Sequence, residues 1–134
     1  HHDCIGYNYR LPNLNAALGC AQLENLDTFI KNKRETAEIY KLFFNGLNVK
    51  FISEPEDSIS NYWLNAIQVE NRSERDLFLH NLNNSGVMAR PIWTLMNKLP
   101  IYKDCQTSSL DVAEELENTI VNIPSGIRST SLTE

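Results

Sequence analysis

Tyr62-Trp63-Leu64-Asn65-Ala66-Ile67-Gln68-Val69-Glu70 is the stretch on which the fold turns. Trp63, Ile67 and Val69 share one parity while Gln68 and Glu70 share the other, and this period of two predicts a half-buried strand. Just beyond it, Ser73-Glu74-Arg75-Asp76 has the form of a helix cap with Asp76 at the third helical position. Leu77, Phe78 and Leu82 then supply a buried stripe, Gly86 ends the helix, and residues 87–90 read as another strand stopped by Pro91.

Toward the N-terminus, residues 47–52 are short, apolar and partly β-branched, which predicts a further strand. Residues 54–60, with Pro55 and several acids, predict a solvated loop. Residues 12–45 carry a helical pattern, because Leu26, Phe29, Ile30, Ala37, Tyr40 and Phe44 recur at steps of three, four and seven. Pro12 suits the first helical position. Leu14, Ala17, Leu18 and Ala21 are offset from the later stripe, so Gly19 and Asp27 are candidates for a kink or a break between two helices. Asn45-Gly46 reads as a helix stop with Gly46 left-handed. Toward the C-terminus, residues 110–120 predict a last helix capped by Ser108 or Ser109, with Leu110, Ala113, Leu116 and Ile120 inward.

This order predicts an α+β domain, a small mainly antiparallel sheet with helices on one face, preceded by a long amphipathic helix. The exposed face and that helix leave apolar surface for a partner. With 134 residues, the chain is sized for one domain. Its 42% hydrophobic and 22% charged residues, with 5 Gly and 5 Pro, exclude wholesale disorder and collagen-like repeats. A net charge of −5 argues against nucleic acid or anionic membrane as partners. Cys4, Cys20 and Cys105 are odd in number and form no Cys-x-x-Cys pair, which fits a reducing compartment. No apolar run approaches the ~18 residues of a membrane span, and no secretory signal is recognisable. The sequons at Asn71 and Asn83 are therefore read as chance, and a soluble cytoplasmic protein is expected.

Few residues look equipped for chemistry. His1-His2-Asp3-Cys4 groups four ligand types, but adjacent residues converge poorly on one ion, and the histidines equally fit an affinity-tag remnant. His80 lies on the predicted capped helix without a nucleophile motif, and Glu56-Asp57 and Glu114-Glu115 read as solvated surface. No phosphate-binding glycine motif is present. Two stretches remain. In the first, residues 6–15, Asn8 offers a neutral amide, Arg10 a cationic fork and the helix start free N–H groups, a set that suits an anion. It equally suits a turn in which Tyr7 and Tyr9 merely pack. In the second, residues 89–97, Arg90 stands near Trp93 at a strand end, either as the edge of a phosphate or sugar pocket or as an Arg closing the sheet with a core Trp.

Gly6-Tyr7-Asn8-Tyr9-Arg10-Leu11-Pro12-Asn13-Leu14-Asn15-Ala16-Ala17-Leu18-Gly19, followed by Ala21-Gln22-Leu23-Glu24, resembles a signature of the DegT/StrS sugar aminotransferases. These are fold type I, pyridoxal-phosphate enzymes that aminate keto sugars carried on nucleotides. The resemblance continues through Asn61-Tyr62-Trp63, Ser73-Glu74-Arg75-Asp76, Gly86-Val87-Met88-Ala89-Arg90-Pro91-Ile92-Trp93, Pro100-Ile101-Tyr102 and Asn122-Ile123-Pro124-Ser125-Gly126. The Arg-Pro-Ile-Trp form is most similar to members that make bacterial amino sugars for surface glycans.

The resemblance implies that residues 1–134 are the C-terminal part of such an enzyme, with residues 1–46 as phosphate loop and linking helices and 47–134 as the small α+β domain. In the family a preceding large domain carries the Schiff-base lysine, the acid on the pyridine nitrogen and the ring-stacking aromatic. Lys31, Lys33, Lys41, Lys50, Lys98 and Lys103 lie outside that lysine-bearing context. Ser131-Leu132-Thr133-Glu134 looks like the cap of a missing helix, so a fragment cut at both ends, inactive alone, is expected. The resemblance implies no catalytic or metal residue here. It implies that Asn8 reaches across a homodimer to the neighbour's cofactor phosphate, and that Arg10 supports that phosphate or the nucleotide's pyrophosphate. Arg90 and Trp93 then take the sugar-nucleotide side. Many members have His at the place of Asn97, which leaves that position without an assigned role. The implied cofactor is pyridoxal 5'-phosphate, held by the full-length dimer, and the implied ligands are a nucleotide-linked 4-keto sugar and an amino-acid donor. The alternative is a non-catalytic nucleotide-sugar-binding or dimerisation domain.

Overall fold

The computed structural model describes residues 3–8 and 10–128. His1, His2, Tyr9 and the 131–134 cap lie outside them. The elements are α1 (Asn13–Leu23), α2 (Leu26–Phe44), β1 (Lys50–Phe51), β2 (Asn65–Gln68), α3 (Arg72–Asn84), β3 (Arg90–Pro91), α4 (Asp111–Thr119) and β4 (Ile120–Ile123), with single 3-10 turns at Met96–Lys98 and Pro100–Tyr102. The strands form one antiparallel sheet in the order β1-β2-β4-β3. The expected α+β class is observed.

The sheet is held by its two central strands. In the β2–β4 register Ile67 faces Val121 and Asn65 faces Ile123. Ile67 and Val121 are both 0% exposed. Around them the core gathers Phe51, Tyr62, Val69 and Ala89, with Ala37, Tyr40 and Phe44 from α2 and Phe78, Leu79 and Leu82 from α3. α3 and the C-terminal half of α2 thus deliver apolar side chains to the same core, while Leu26 at the start of α2 is exposed. No residue of α1 is buried, and Leu14, Leu18 and Leu23 are exposed.

Several elements depart from expectation for identifiable reasons. The helix break falls at Glu24 and Asn25, not at Gly19 or Asp27, because the Asn25 amide donates to the Ala21 carbonyl while its own carbonyl accepts from the Phe29 N–H. Gly46 does take the left-handed region, at φ 80°. The α3 cap is Asn71, whose side chain accepts from the Glu74 N–H, so the helix starts ahead of Ser73 and its inward stripe becomes Arg75, Phe78, Leu79 and Leu82. Leu77, expected inward, is 60% exposed. The strand expected at 87–90 is reduced to Arg90–Pro91 at a sheet edge, where a proline's missing N–H breaks no ladder. The last helix has no side-chain cap and ends at Thr119, while Ile120 opens β4 instead of closing the helix.

The largest correction concerns the deciding stretch itself. Tyr62 is left-handed at φ 46°, and this twist sends its ring into the core and turns Trp63 outward to 65% exposure. The parity expected for Ile67 and Val69 holds, with Asn65, rather than Trp63, buried beside them.

A polar clamp holds the preceding loop against α2. Arg34 bonds both Glu54 oxygens at 2.9 and 3.0 Å, Glu54 accepts from the Ser60 N–H at 2.6 Å, and the guanidinium lies 5.7 Å from the Tyr62 ring centre. The Arg34 hydrogen bonds, then the Ser60 N–H, hold the Glu54 carboxyl at about 2, below its ordinary 4.5. A depressed carboxyl contributes stability above the unfolded-state value and loses it as pH falls toward the folded one. We therefore expect wild type to resist urea better than Glu54→Gln at pH 6. That advantage should shrink between pH 4.5 and 2. A gap that stays constant down to pH 2 contradicts the clamp.

Candidate functional site

The outer side of the β3–β4 edge forms an open groove of about 760 Å³, a size that suits a small ligand. Val121 and Ile123 face the core, so Asn122 between them faces the other way, and its ladder partner Arg90 shares that face. Trp63, Trp93 and Lys98 complete the principal lining, with the chain at 124–126 as a further wall.

The two cations of the groove differ in availability. Lys98 bonds Glu117 at 2.5 Å and lies 3.8 Å from Glu114, so its charge is met locally. Burial pushes the Glu117 carboxyl up, but hydrogen bonds from Lys98 and the Leu95 N–H outweigh it and leave the group below its ordinary value. Arg90 is exposed, touches the Met88 sulfur at 3.7 Å and has no carboxylate partner among the described residues. An open guanidinium beside an apolar wall is a good receptor for a phosphate oxygen.

The indoles of Trp63 and Trp93 stack with centres 6.0 Å apart and planes at 28°. Trp93 is 62% exposed, which removes the reading that placed it in the core. Arg90 and Trp93 therefore meet in one groove, as the second stretch suggested, and Trp63 joins them unpredicted. Strand alternation puts Trp63 on the core side with Ile67, and the left-handed backbone at Tyr62 reverses it, a choice with no mark in the sequence pattern.

Asn8 and Arg10 do not line this groove. Both are exposed, as is Tyr7 at 74%, on the chain that leads into α1. That helix starts after Pro12 at φ −60° and ψ 150° with no side-chain cap, so among the described residues its first-turn N–H groups have no side-chain acceptor. Asn8 and Arg10 thus lie at the surface of the described residues rather than in the interior. Among the described residues no group of three His, Cys, Asp or Glu side chains can hold a metal, and no described helix is long and apolar enough to cross a membrane. Lys31, Lys41, Lys50 and Lys103 are exposed, and Lys33 and Lys98 are engaged in hydrogen bonds.

Residues 1–131 match the DegT/DnrJ/EryC1/StrS aminotransferase family. A GDP-perosamine synthase of Escherichia coli O157:H7 is 38% identical over 124 residues, covering 92% of this chain and 34% of that protein. The GDP-perosamine synthase of Vibrio cholerae is 35% identical over 127 residues, covering 92% and 35%. The chain spans about a third of the length of these curated relatives. In fold it is similar to a DegT DnrJ EryC1 StrS aminotransferase from Brucella abortus, with TM-score 0.80 at 23% identity over 95% of this chain and 34% of that one. Helicobacter pylori PseC, an aminotransferase involved in the biosynthesis of pseudoaminic acid, gives TM-score 0.77 at 22% identity over 91% and 34%. On this evidence the chain belongs to the DegT/DnrJ/EryC1/StrS aminotransferase family.

Proposed function

We propose that this chain is the small-domain portion of a cytoplasmic, homodimeric sugar aminotransferase that aminates a nucleotide-linked 4-keto sugar for amino-sugar and surface-glycan biosynthesis. The observation that carries the reading is the groove in which Arg90, without a carboxylate partner among the described residues, stands with two exposed, stacked indoles. The guanidinium meets the diphosphate, and the indoles cover the apolar and planar parts of the nucleotide. The relatives named GDP-perosamine synthase support a guanosine diphosphate sugar.

The cofactor implied is pyridoxal phosphate, which when bound supplies the electron sink that lets an amino group pass from donor to keto sugar. The exposed Asn8 amide, the Arg10 guanidinium and the uncapped start of α1 fit its phosphate end. A neutral amide hydrogen-bonds a dianion without adding a charge to desolvate. The six lysines lie outside the context in which the family carries its Schiff-base lysine, so that role falls to the rest of the full-length enzyme, and the portion described here is inactive by itself. Asn8 reaches the neighbouring subunit's cofactor phosphate, while the exposed leucines of α1 bury against the remainder of the dimer.

Asn8→Ala in the full-length enzyme tests the phosphate role. Removal of one hydrogen bond to a charged group should weaken cofactor retention by about tenfold. Cofactor absorbance after dialysis reads this, and the melting temperature of the cofactor-free form should not change. Unchanged retention with a lower melting temperature assigns Asn8 to the turn alone.

A further inference from the structure

We propose that Lys33 is a positioning residue for the nucleotide groove, tying together the Trp63 and Ser125 segments of its wall and thereby fixing the indole pair. The inference rests on the nucleotide-sugar reading above. Lys33 projects from α2, and its Nζ donates to the Ser125 carbonyl at 2.6 Å and to the Trp63 carbonyl at 3.2 Å. The last ladder pair of β2 and β4 is Asn65 with Ile123, so these two carbonyls lie just past the point where the ladder stops. The ammonium continues the join there, and both Trp63 and Ser125 line the groove.

Other bonds order this junction but leave the Trp63 and Ser125 carbonyls to this bridge. The Asn65 N–H donates to Ser125 Oγ at 2.7 Å, and that hydroxyl donates to the Ile123 carbonyl at 2.7 Å. Trp63 follows the left-handed Tyr62, and its N–H donates to Asn61 Oδ1 at 2.9 Å. Lys33 takes the remaining backbone group of Trp63, so both its N–H and its carbonyl are held while the indole points into the groove. Other bonds from α2 hold the chain beside and beyond this wall: Tyr40 donates to the Pro124 carbonyl at 3.0 Å, and Asn32 bonds the Arg128 backbone in both directions past the groove. Lys33 is the anchor that touches both chains. It has no carboxylate partner among the described residues, so its charge strengthens the bonds to the carbonyls instead.

The test uses the full-length protein and its Lys33→Met and Lys33→Arg variants. Stacked indoles give an exciton couplet in circular dichroism, assigned by its loss in Trp93→Phe, and GDP binding is read from tryptophan emission. Lys33→Met should lose the couplet and bind GDP about tenfold more weakly, the scale of a charge-assisted hydrogen bond, while its helical signal and cooperative melting persist. Lys33→Arg, which can donate to both carbonyls, should restore the couplet and most of the affinity. If the methionine variant does not fold, Lys33→Gln keeps a neutral amide donor group without the reach, and it should fold yet lack the couplet. A Lys33→Met or Lys33→Gln protein that keeps both the couplet and wild-type GDP affinity overturns the proposal. Wild type that shows the couplet but binds no GDP also overturns the role in binding. In that case the fault lies with the nucleotide reading, since the couplet still reports what Lys33 does to the indoles.

Discussion

Ile67→Ala should destabilise the chain by about 3 kcal/mol, within the 2–5 kcal/mol observed when a fully buried branched side chain is cut to a methyl. Ile67 is 0% exposed, sits opposite the equally buried Val121, and lies where α2 and α3 both close on the sheet. The loss combines the transfer of the removed carbons with a cavity that the ladder prevents from collapsing. Against a domain stability of roughly 5–15 kcal/mol this is a large fraction. Leu77→Ala is the matched control, because sequence periodicity puts Leu77 inward whereas the Asn71 cap turns it to 60% exposure. It should change stability by no more than about 0.5 kcal/mol. Urea midpoints at unchanged slope measure both. Equal costs at 67 and 77 contradict the observed phase of α3.

Arg90→Met should weaken nucleoside diphosphate binding by about 10- to 100-fold, corresponding to the roughly 1.5–3 kcal/mol of a hydrogen bond to a charged group. The change keeps an apolar stem against the groove wall and removes the fork. Arg90 makes no ion pair among the described residues and is exposed, so the melting temperature should hold. Lys98→Met provides the contrast. Its ammonium is already committed to Glu117 and Glu114, so its removal should cost stability by leaving Glu117 without its cation, with less effect on the nucleotide. If Lys98→Met abolishes binding and Arg90→Met does not, the anion site has been placed on the wrong cation.

The sequence made the class of the fold legible because its long periods are intact. The α2 stripe of Ala37, Tyr40 and Phe44 and the β2 parity of Ile67 and Val69 both appear in the core as read. What escaped were features decided by single backbone choices. One left-handed residue at Tyr62 moved Trp63 from the core side to the groove. An Asn cap ahead of Ser73 rotated α3 and exchanged Leu77 for Arg75 and Leu79. The central strand β4 was hidden because α4 runs into it without a loop, so Ile120 continues the helical spacing while already serving the sheet. Arg90 and Trp93 were legible as neighbours along the chain, and the structure places them in one groove. Lys33 was not legible. A lysine on an amphipathic helix carries no local mark of which carbonyls it will meet from residues 30 and 92 positions away.

Titration of the full-length protein with GDP and with GMP, followed by tryptophan emission, tests the account most directly. An open guanidinium beside paired indoles predicts saturable quenching by both, with the diphosphate binding more tightly and its advantage lost in Arg90→Met. No saturable change up to millimolar nucleotide, or an equal response in the Arg90→Met protein, contradicts it.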